Sequence, residues 1–307
     1  MTTYEVYGRA LASELPLPEL AECDGPADVS FRVASLPQAE GDWFDVWPTE
    51  HGTPWVRARR TPAGYRLRYE LRAEFQVDRV ERTIVCDPFD CPAPMLRHFL
   101  LDQVIPLALS LDSVVLHASS VAIDEGFAAF IGPGGAGKST VAIALARSGY
   151  AIGSDDGLLI RVGDSVEAAP SYPSVRLWED SAAAVAGRPA LNVDAPPTAK
   201  RQYRDGFRFV RGERPLARIC LLDREPAATL RFEPLSPRDA AMALVEQSYR
   251  LALEDRARLA RQLDDLTRIA RSVPACRLHW PRQLESWRDL SRAIGAHLGG
   301  TPAVEVA

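Results

Sequence analysis

Along residues 1–92 apolar and polar side chains alternate in short runs, broken by Pro, Gly and Asp clusters. That pattern predicts short half-buried strands over 4–10, 29–33, 55–59, 65–71 and 79–85. The alternation is clearest in Tyr-Arg-Leu-Arg-Tyr-Glu-Leu at 65–71, where every second residue is apolar. After Pro92 and Pro94 the period lengthens. Leu96, Leu100, Val104 and Leu107 then fall on one stripe, so a helix is expected over 95–111. The organisation read from this is a β-rich N-terminal domain at 1–92, a joining helix at 93–112 and a second domain at 113–300.

From Ser113 the texture changes. Residues 114–118 and 120–123 suggest a hairpin-like pair, and 127–131 is a short apolar strand. A glycine-rich turn at 132–137 follows, then a helix over 139–148 that Gly149 can terminate. Residues 150–153 read as another short strand, delivering Ser154, Asp155 and Asp156. Beyond a mixed region come helices near 238–251 and 254–271, a strand near 277–279 and a last helix near 283–298. Leu259, Leu263, Leu266 and Ile269 are the expected apolar face of the second of these helices. Strands and helices interspersed in this way define an α/β (α+β) chain.

Composition narrows the classes. The 307 residues are 47% hydrophobic and 25% charged, as in a soluble globular protein, and are enough for two cores. A net charge of −5 gives no global reason to expect a nucleic acid or an anionic membrane as partner. The arginines of 250–271 are interleaved with Glu254, Asp255, Asp264 and Asp265, which describes a solvated helix face. Five cysteines without paired spacing argue against a disulfide framework, and Cys86 and Cys91 lack partners for zinc. No signal-like N-terminus is present, and the most apolar window, 99–123, is interrupted by Asp102, Gln103 and Asp112. A cytoplasmic protein is the expectation.

The chemistry concentrates at Gly132-Pro133-Gly134-Gly135-Ala136-Gly137-Lys138-Ser139-Thr140, which matches the Walker A phosphate loop. Glycines let backbone N–H groups turn toward phosphate oxygens, and the helix that follows adds its unpaired N–H groups and positive dipole end. Lys138 supplies a charge to the β- and γ-phosphates, the Ser139 hydroxyl can ligate Mg²⁺, and Thr140 can add a phosphate contact. Asp155-Asp156 is the second signal. If the strands at 127–131 and 150–153 lie side by side and parallel, both carboxylates stand beside the loop, able to hold metal or accept a proton. Asp-Asp-Gly is also good turn sequence. His117, upstream of the loop, can orient a carboxylate or contact a phosphate. His51, His98, His279 and His297 have no constellation around them in the sequence.

Three segments together, 116–122, 130–140 and 149–156, resemble the C-terminal catalytic domain of HPr kinase/phosphorylase. They are more similar to the HprK-related kinases of bacterial peptide-modification gene clusters. The resemblance implies a P-loop kinase domain of the HPr kinase and phosphoenolpyruvate carboxykinase type, with a mixed sheet behind a smaller β-rich N-terminal domain. It implies ATP and Mg²⁺, with Ser139 and Asp155 toward the metal. One carboxylate of Asp155-Asp156 is implied as general base toward a serine-type hydroxyl, with His117 nearby. Arg176, Lys200 and Arg201 fall where relatives carry basic residues and are candidate phosphate or substrate contacts. Two features depart from true HPr kinases: the loop ends Lys-Ser-Thr, and the glycine- and isoleucine-rich segment after the acidic pair is missing. The acceptor therefore stays open between a protein or peptide serine and a small molecule, and a homo-oligomer is also left open. A non-catalytic, ATP-responsive module is the alternative use of the same loop. In either case Lys138→Ala is expected to abolish nucleotide binding by calorimetric titration, and unchanged affinity would remove the loop from the account.

Overall fold

The computed structural model describes residues 1–38, 40–46, 56–69, 72–177, 201–203, 206–281 and 287–299. The chain forms two compact units, Met1–Asp112 with Arg250–Glu254, and Ser113–Tyr249 with Asp255–Ala307.

The first unit is built on a nine-stranded mixed sheet of β1 (Thr2–Val6), β2 (Arg9–Ser13), β3 (Ala21–Glu22), β4 (Val29–Val33), β5 (Phe44–Asp45), β6 (Arg57–Thr61), β7 (Gly64–Tyr69), β8 (Ala73–Asp78) and β9 (Thr83–Pro88). The spatial order is β3-β1-β2-β4-β9-β8-β7-β6-β5, with β4 parallel to both β2 and β9. Two expectations are corrected here. The single strand read over 4–10 is the hairpin β1–β2, because Tyr7 (φ 53°) and Gly8 (φ 66°) both turn left-handed between the partners Val6 and Arg9. Two such central residues give a turn whose twist matches the strands. Residues 79–82 are likewise a turn, not the start of a strand: the Asp78 carboxylate accepts the N–H groups of Val80 and Glu81, both at 2.9 Å. Strand β8, just before it, was not expected.

The helix after Pro92 comes in three pieces, α1 (Ala93–Phe99), a π-helical turn (Leu100–Val104) and α2 (Ile105–Leu109). Pro106 accounts for the wide turn, since a proline ring clashes with the carbonyl four residues earlier in a regular helix. Leu96, Leu100, Val104 and Leu107 are all buried, as their spacing implies. Phe99 stacks on Tyr69 of β7 at 4.5 Å, and Tyr69 meets Phe75 of β8 edge-on.

The second unit contains β10 (Val114–Leu116), β11 (Ala118–Ile123), β12 (Gly126–Ile131), α3 (Lys138–Arg147), β13 (Leu158–Val162), β14 (Val166–Pro170), β15 (Val175–Leu177), β16 (Arg201–Tyr203), β17 (Arg214–Leu222), β18 (Arg231–Pro234), α4 (Pro237–Glu246), α5 (Arg256–Ser272), β19 (Ala275–His279) and α6 (Trp287–Leu298). The main sheet runs β10-β13-β14-β17-β12-β11, with β19 also on β17 and β18 on β19. β12, β17 and β19 are mutually parallel, while β11 is antiparallel to β12. The hairpin expected between 114–118 and 120–123 does not form: β10 pairs with β13, and the hairpin is β11–β12.

Strand β12 explains why its sequence, Gly-Phe-Ala-Ala-Phe-Ile, is apolar throughout. Phe127, Ala129 and Ile131 face a core that includes Ala240 and Leu244 of α4 and Leu266 and Ile269 of α5. Ala128 and Phe130 face a second core with Val141 and Leu145 of α3 and Ile294 of α6. A strand covered on both faces has no polar alternation to display. On α5 the buried stripe is Gln262, Leu266, Ile269 and Ala270, and Leu263 is 51% exposed, so the expected face was rotated. Helix α4 stops at Glu246, short of the expected 251. The chain there leaves the helix to run beside β10, where His117 N–H donates to Gln247 O at 2.7 Å and Tyr249 N–H to Val115 O at 2.8 Å.

Residues 150–153 are extended but not a ladder strand; Ile152 alone bridges to Val121 and Phe209. They lie on the outer edge of β11, held by Gly153 N–H to Ser120 O and Ser120 N–H to Ser154 O, both 2.8 Å. They run in the direction of β12, with β11 between the two, so the side-by-side arrangement is corrected. The shared direction still carries Asp155 to the end of the sheet where β12 gives way to the phosphate loop. Among the described residues no helix is long and apolar enough to cross a membrane.

Gly153 has no room for a side chain: a Cβ would sit 2.5 Å from Ser120 Oγ and 2.6 Å from the Phe127 ring. Gly153→Ala is expected to destabilise the second unit by about 1–3 kcal/mol through overpacking, read as a lower urea midpoint; an unchanged midpoint would show that the 150–154 segment is not packed in this way.

Candidate functional site

The turn from β12 into α3 is shaped by glycines at the places where the backbone requires them. Gly137, at the N-cap of α3, has φ 97°, and a Cβ there would lie 2.5 Å from Trp280 Cζ2. At Gly132, φ 146°, a Cβ would lie 2.4 Å from the Leu222 carbonyl oxygen at the end of β17. Gly134 and Gly135 face open space, Pro133 and Ala136 complete the turn, and Thr140 lies in the first turn of α3. Lys138 is buried, and its ammonium donates to the carbonyls of Gly132 at 2.8 Å and Pro133 at 3.4 Å. The lysine therefore folds back over the loop it follows.

Asp155 is the centre of the site. It is 4% exposed, and its Oδ1 accepts from Ser119 Oγ at 2.5 Å and from Ser139 Oγ at 2.8 Å. Its Oδ2 accepts the backbone N–H of Arg176 at 2.9 Å, and its carbonyl accepts from Ser171 Oγ at 3.3 Å. One carboxylate thus ties β11, the first turn of α3 and β15 together. The carboxylate and the Ser139 hydroxyl are hard oxygen donors at a helix N-terminus, a set suited to Mg²⁺, which favours one or two carboxylates and takes its other ligands from water and phosphate. Among the described residues no cluster of three or more His, Cys, Asp and Glu side chains forms a self-sufficient metal cage.

Asp156 is placed differently. Its φ of 63° is left-handed, a conformation that Asp tolerates better than most residues. That kink separates the neighbours: Asp155 faces the serines, while Asp156 Oδ1 lies 3.9 Å from His117 Nε2, at ion-pair distance. Tyr249 Oη donates to the Asp156 carbonyl at 3.0 Å, and the Tyr249 ring stacks on His117 at 6.2 Å with planes 13° apart. The His117 side chain is 43% exposed and that of Asp156 is 16% exposed.

Of the residues singled out in the sequence, the structure brings Ser139, Asp155 and the Arg176 backbone into one hydrogen-bonded group, with Lys138 bonded to the neighbouring loop and Asp156 and His117 beside each other. Lys200 lies outside the described residues, and Arg201 is described as backbone in β16 only. Ser119, Ser171, Tyr249 and Trp280 were not anticipated. Ser119 stands two residues from His117 in the sequence, at the start of β11, and that nearness was its only signal; the others come from remote segments. Among the described histidines, His98 Nδ1 lies 2.6 Å from Asp102, His279 lies near Asp223 and Glu233, and His297 stacks on Phe232, while His51 lies outside the described residues.

No family model matches the chain, and no curated protein matches it. Among solved structures it is similar to the Hpr(Ser) kinase/phosphatase from Coxiella burnetii, at 11% identity and a TM-score of 0.32, over 60% of this chain and 95% of that one. A likeness that distant carries no function, which rests on the site's own geometry.

Ser119→Ala removes a donor from a buried carboxylate at a fully buried position. A loss of about 1–3 kcal/mol in urea unfolding is expected, and a smaller loss for Ser139→Ala, where water can reach Asp155 more readily. Equal, negligible effects would mean that Asp155 does not depend on these serines.

Proposed function

We propose that this chain is an ATP- and Mg²⁺-dependent kinase that transfers the γ-phosphoryl group to a hydroxyl, that of a protein or peptide serine or of a small molecule. The observation that carries this reading is the division of labour between the adjacent carboxylates: Asp155 is bonded to Ser139 at the start of the phosphate-loop helix, and Asp156 is turned aside toward His117. A nucleotide switch needs the first of these. A hydroxyl kinase also needs a base candidate such as the second.

In this reading the backbone N–H groups of 134–140 hold the phosphates, and Lys138 exchanges its carbonyl partners for phosphate oxygens. Ser139 and Asp155 would hold Mg²⁺, which supplies neutralisation of charge on the β- and γ-phosphate oxygens. The acceptor oxygen attacks the γ-phosphorus while its bond to the β–γ bridging oxygen breaks, and ADP leaves with that electron pair. Asp156 accepts the proton of the acceptor hydroxyl. His117, fixed by its backbone bond to Gln247 and its stacking on Tyr249, orients Asp156 and raises the cost of the wrong rotamer. Arg176, Lys200 and Arg201 are the basic residues offered to the transferring phosphate or the acceptor. Positioning and charge stabilisation do most of this work, because the loose transition state asks little covalent chemistry of the protein.

The test is transfer from γ-labelled ATP into a lysate of the native host. Asp156→Asn should keep Mg·ATP affinity within a few-fold and reduce transfer by about 10²–10⁴, whereas Asp155→Asn should weaken the Mg²⁺ dependence of binding itself. Normal turnover by Asp156→Asn contradicts the base assignment, and nucleotide binding by the wild type without any transfer favours the ATP-responsive module.

A further inference from the structure

Two thiols meet on the face of the sheet covered by α3. Cys220 of β17 and Cys276 of β19 are register partners on parallel strands, and their Sγ atoms lie 3.7 Å apart and share a hydrogen bond. Both are free thiols; Cys220 is fully buried and Cys276 partly exposed. The pair is chemically unequal. The hydrogen bond with Cys220 lowers the Cys276 thiol, helped by Arg218 and opposed by burial, while the same bond and then burial raise Cys220.

What lies further along the two strands gives the pair its interest. The next register partners on this face are Leu222 and Leu278, both fully buried. The Leu222 carbonyl lies against Gly132, and Trp280, two residues beyond Leu278, lies against Gly137. The first and last glycines of the phosphate loop therefore rest on the two strands that the thiols join, with one buried leucine pair between.

We propose that Cys220 and Cys276 are a redox-active dithiol, a site of reversible disulfide formation by low-molecular-weight disulfides, and that its oxidation alters the phosphate loop. The consequence for nucleotide binding rests on the function proposed above; the disulfide and its effect on the loop do not. The Cys276 thiolate attacks one sulfur of the small disulfide, breaking the S–S bond, forming a mixed disulfide and releasing one thiolate that takes up a proton. Cys220 then gives up its proton and attacks Cys276 Sγ, releasing the second small thiol. The protein loses two hydrogens and the small disulfide is reduced to two thiols. To bond, the sulfurs must close from 3.7 Å to about 2.0 Å. In a close-packed core that movement is passed to Leu222, Leu278 and Trp280 instead of being absorbed in empty space.

The experiment uses the full chain in a Cys23→Ser/Cys91→Ser background, native and incubated with excess oxidised glutathione. Mass spectrometry should show the loss of two hydrogens without a retained glutathione, and a cross-link between the peptides of Cys220 and Cys276. Amide exchange over 132–140 should accelerate several-fold and recover with a reducing agent. Cys220→Ala should trap a glutathione adduct on Cys276, and Cys276→Ser, a gentler change at a less buried position, should abolish the exchange response. Absence of the cross-link, or a cross-link that leaves exchange at 132–140 unchanged, overturns the proposal. The titration of ATP into reduced protein is read separately: binding there, weakened several-fold on oxidation, supports both readings. Its absence with the exchange response intact sinks only the nucleotide reading.

Discussion

The second unit depends on one buried carboxylate being correctly surrounded. Asp155 is almost wholly withdrawn from water, and an ionised group there is tolerable only with its lone pairs occupied. Ser119, Ser139 and the Arg176 amide occupy them, and each comes from a different element. Satisfying the charge therefore fixes where β11, the start of α3 and β15 stand relative to one another. Removing any one donor leaves a penalty that the others cannot cover, so the arrangement is held more tightly than any single hydrogen bond of about 1 kcal/mol would suggest.

The rest of the unit supplies what that carboxylate needs. Strand β12 is buried on both faces, which keeps the loop that follows it anchored from below. The loop's close contacts with Leu222 and Trp280 anchor it from β17 and the end of β19. Segment 150–154, pinned along β11, brings the acidic pair to the same end. The left-handed turn at Asp156 then separates two identical side chains into two environments, one buried among hydroxyls and one open toward an imidazole. In the proposed kinase reading, a metal-side carboxylate and a proton acceptor are set apart by that single backbone dihedral.

Much of this was readable in the residues, and what was not has physical reasons. The strand, glycine-rich turn and helix at 127–147 were legible because a tight turn demands glycines at fixed places, and those demands are local; what the turn binds belongs to the proposal. The acidic pair was legible as a candidate, but the two different environments of its carboxylates were not, since they follow from the φ of Asp156 and from Ser119 and His117, which the fold brings near. Strand boundaries failed where turn chemistry was mistaken for strand, at Tyr7-Gly8 and at Asp78–Arg82. Pairing failed at β10 and β11 because apolar alternation says that a strand is buried and not which strand lies beside it. Leu263 was placed on the wrong face of α5 because Gln262, a polar residue, is buried there through its bond to the Tyr249 carbonyl. The Cys220–Cys276 contact was invisible for the same reason as β10–β13: two residues 56 apart in sequence meet only through register.

The most direct test is a crystal structure of the chain with Mg²⁺ and a non-hydrolysable ATP analogue. The account predicts the phosphates in the 132–140 loop, Lys138 Nζ moved from the Gly132 carbonyl to phosphate oxygen, and the metal at about 2.0–2.1 Å from Ser139 Oγ, with Asp155 bound to it directly or through water and Asp156 off the metal beside His117. A metal held by Asp156, or an analogue seated away from the loop, would contradict it.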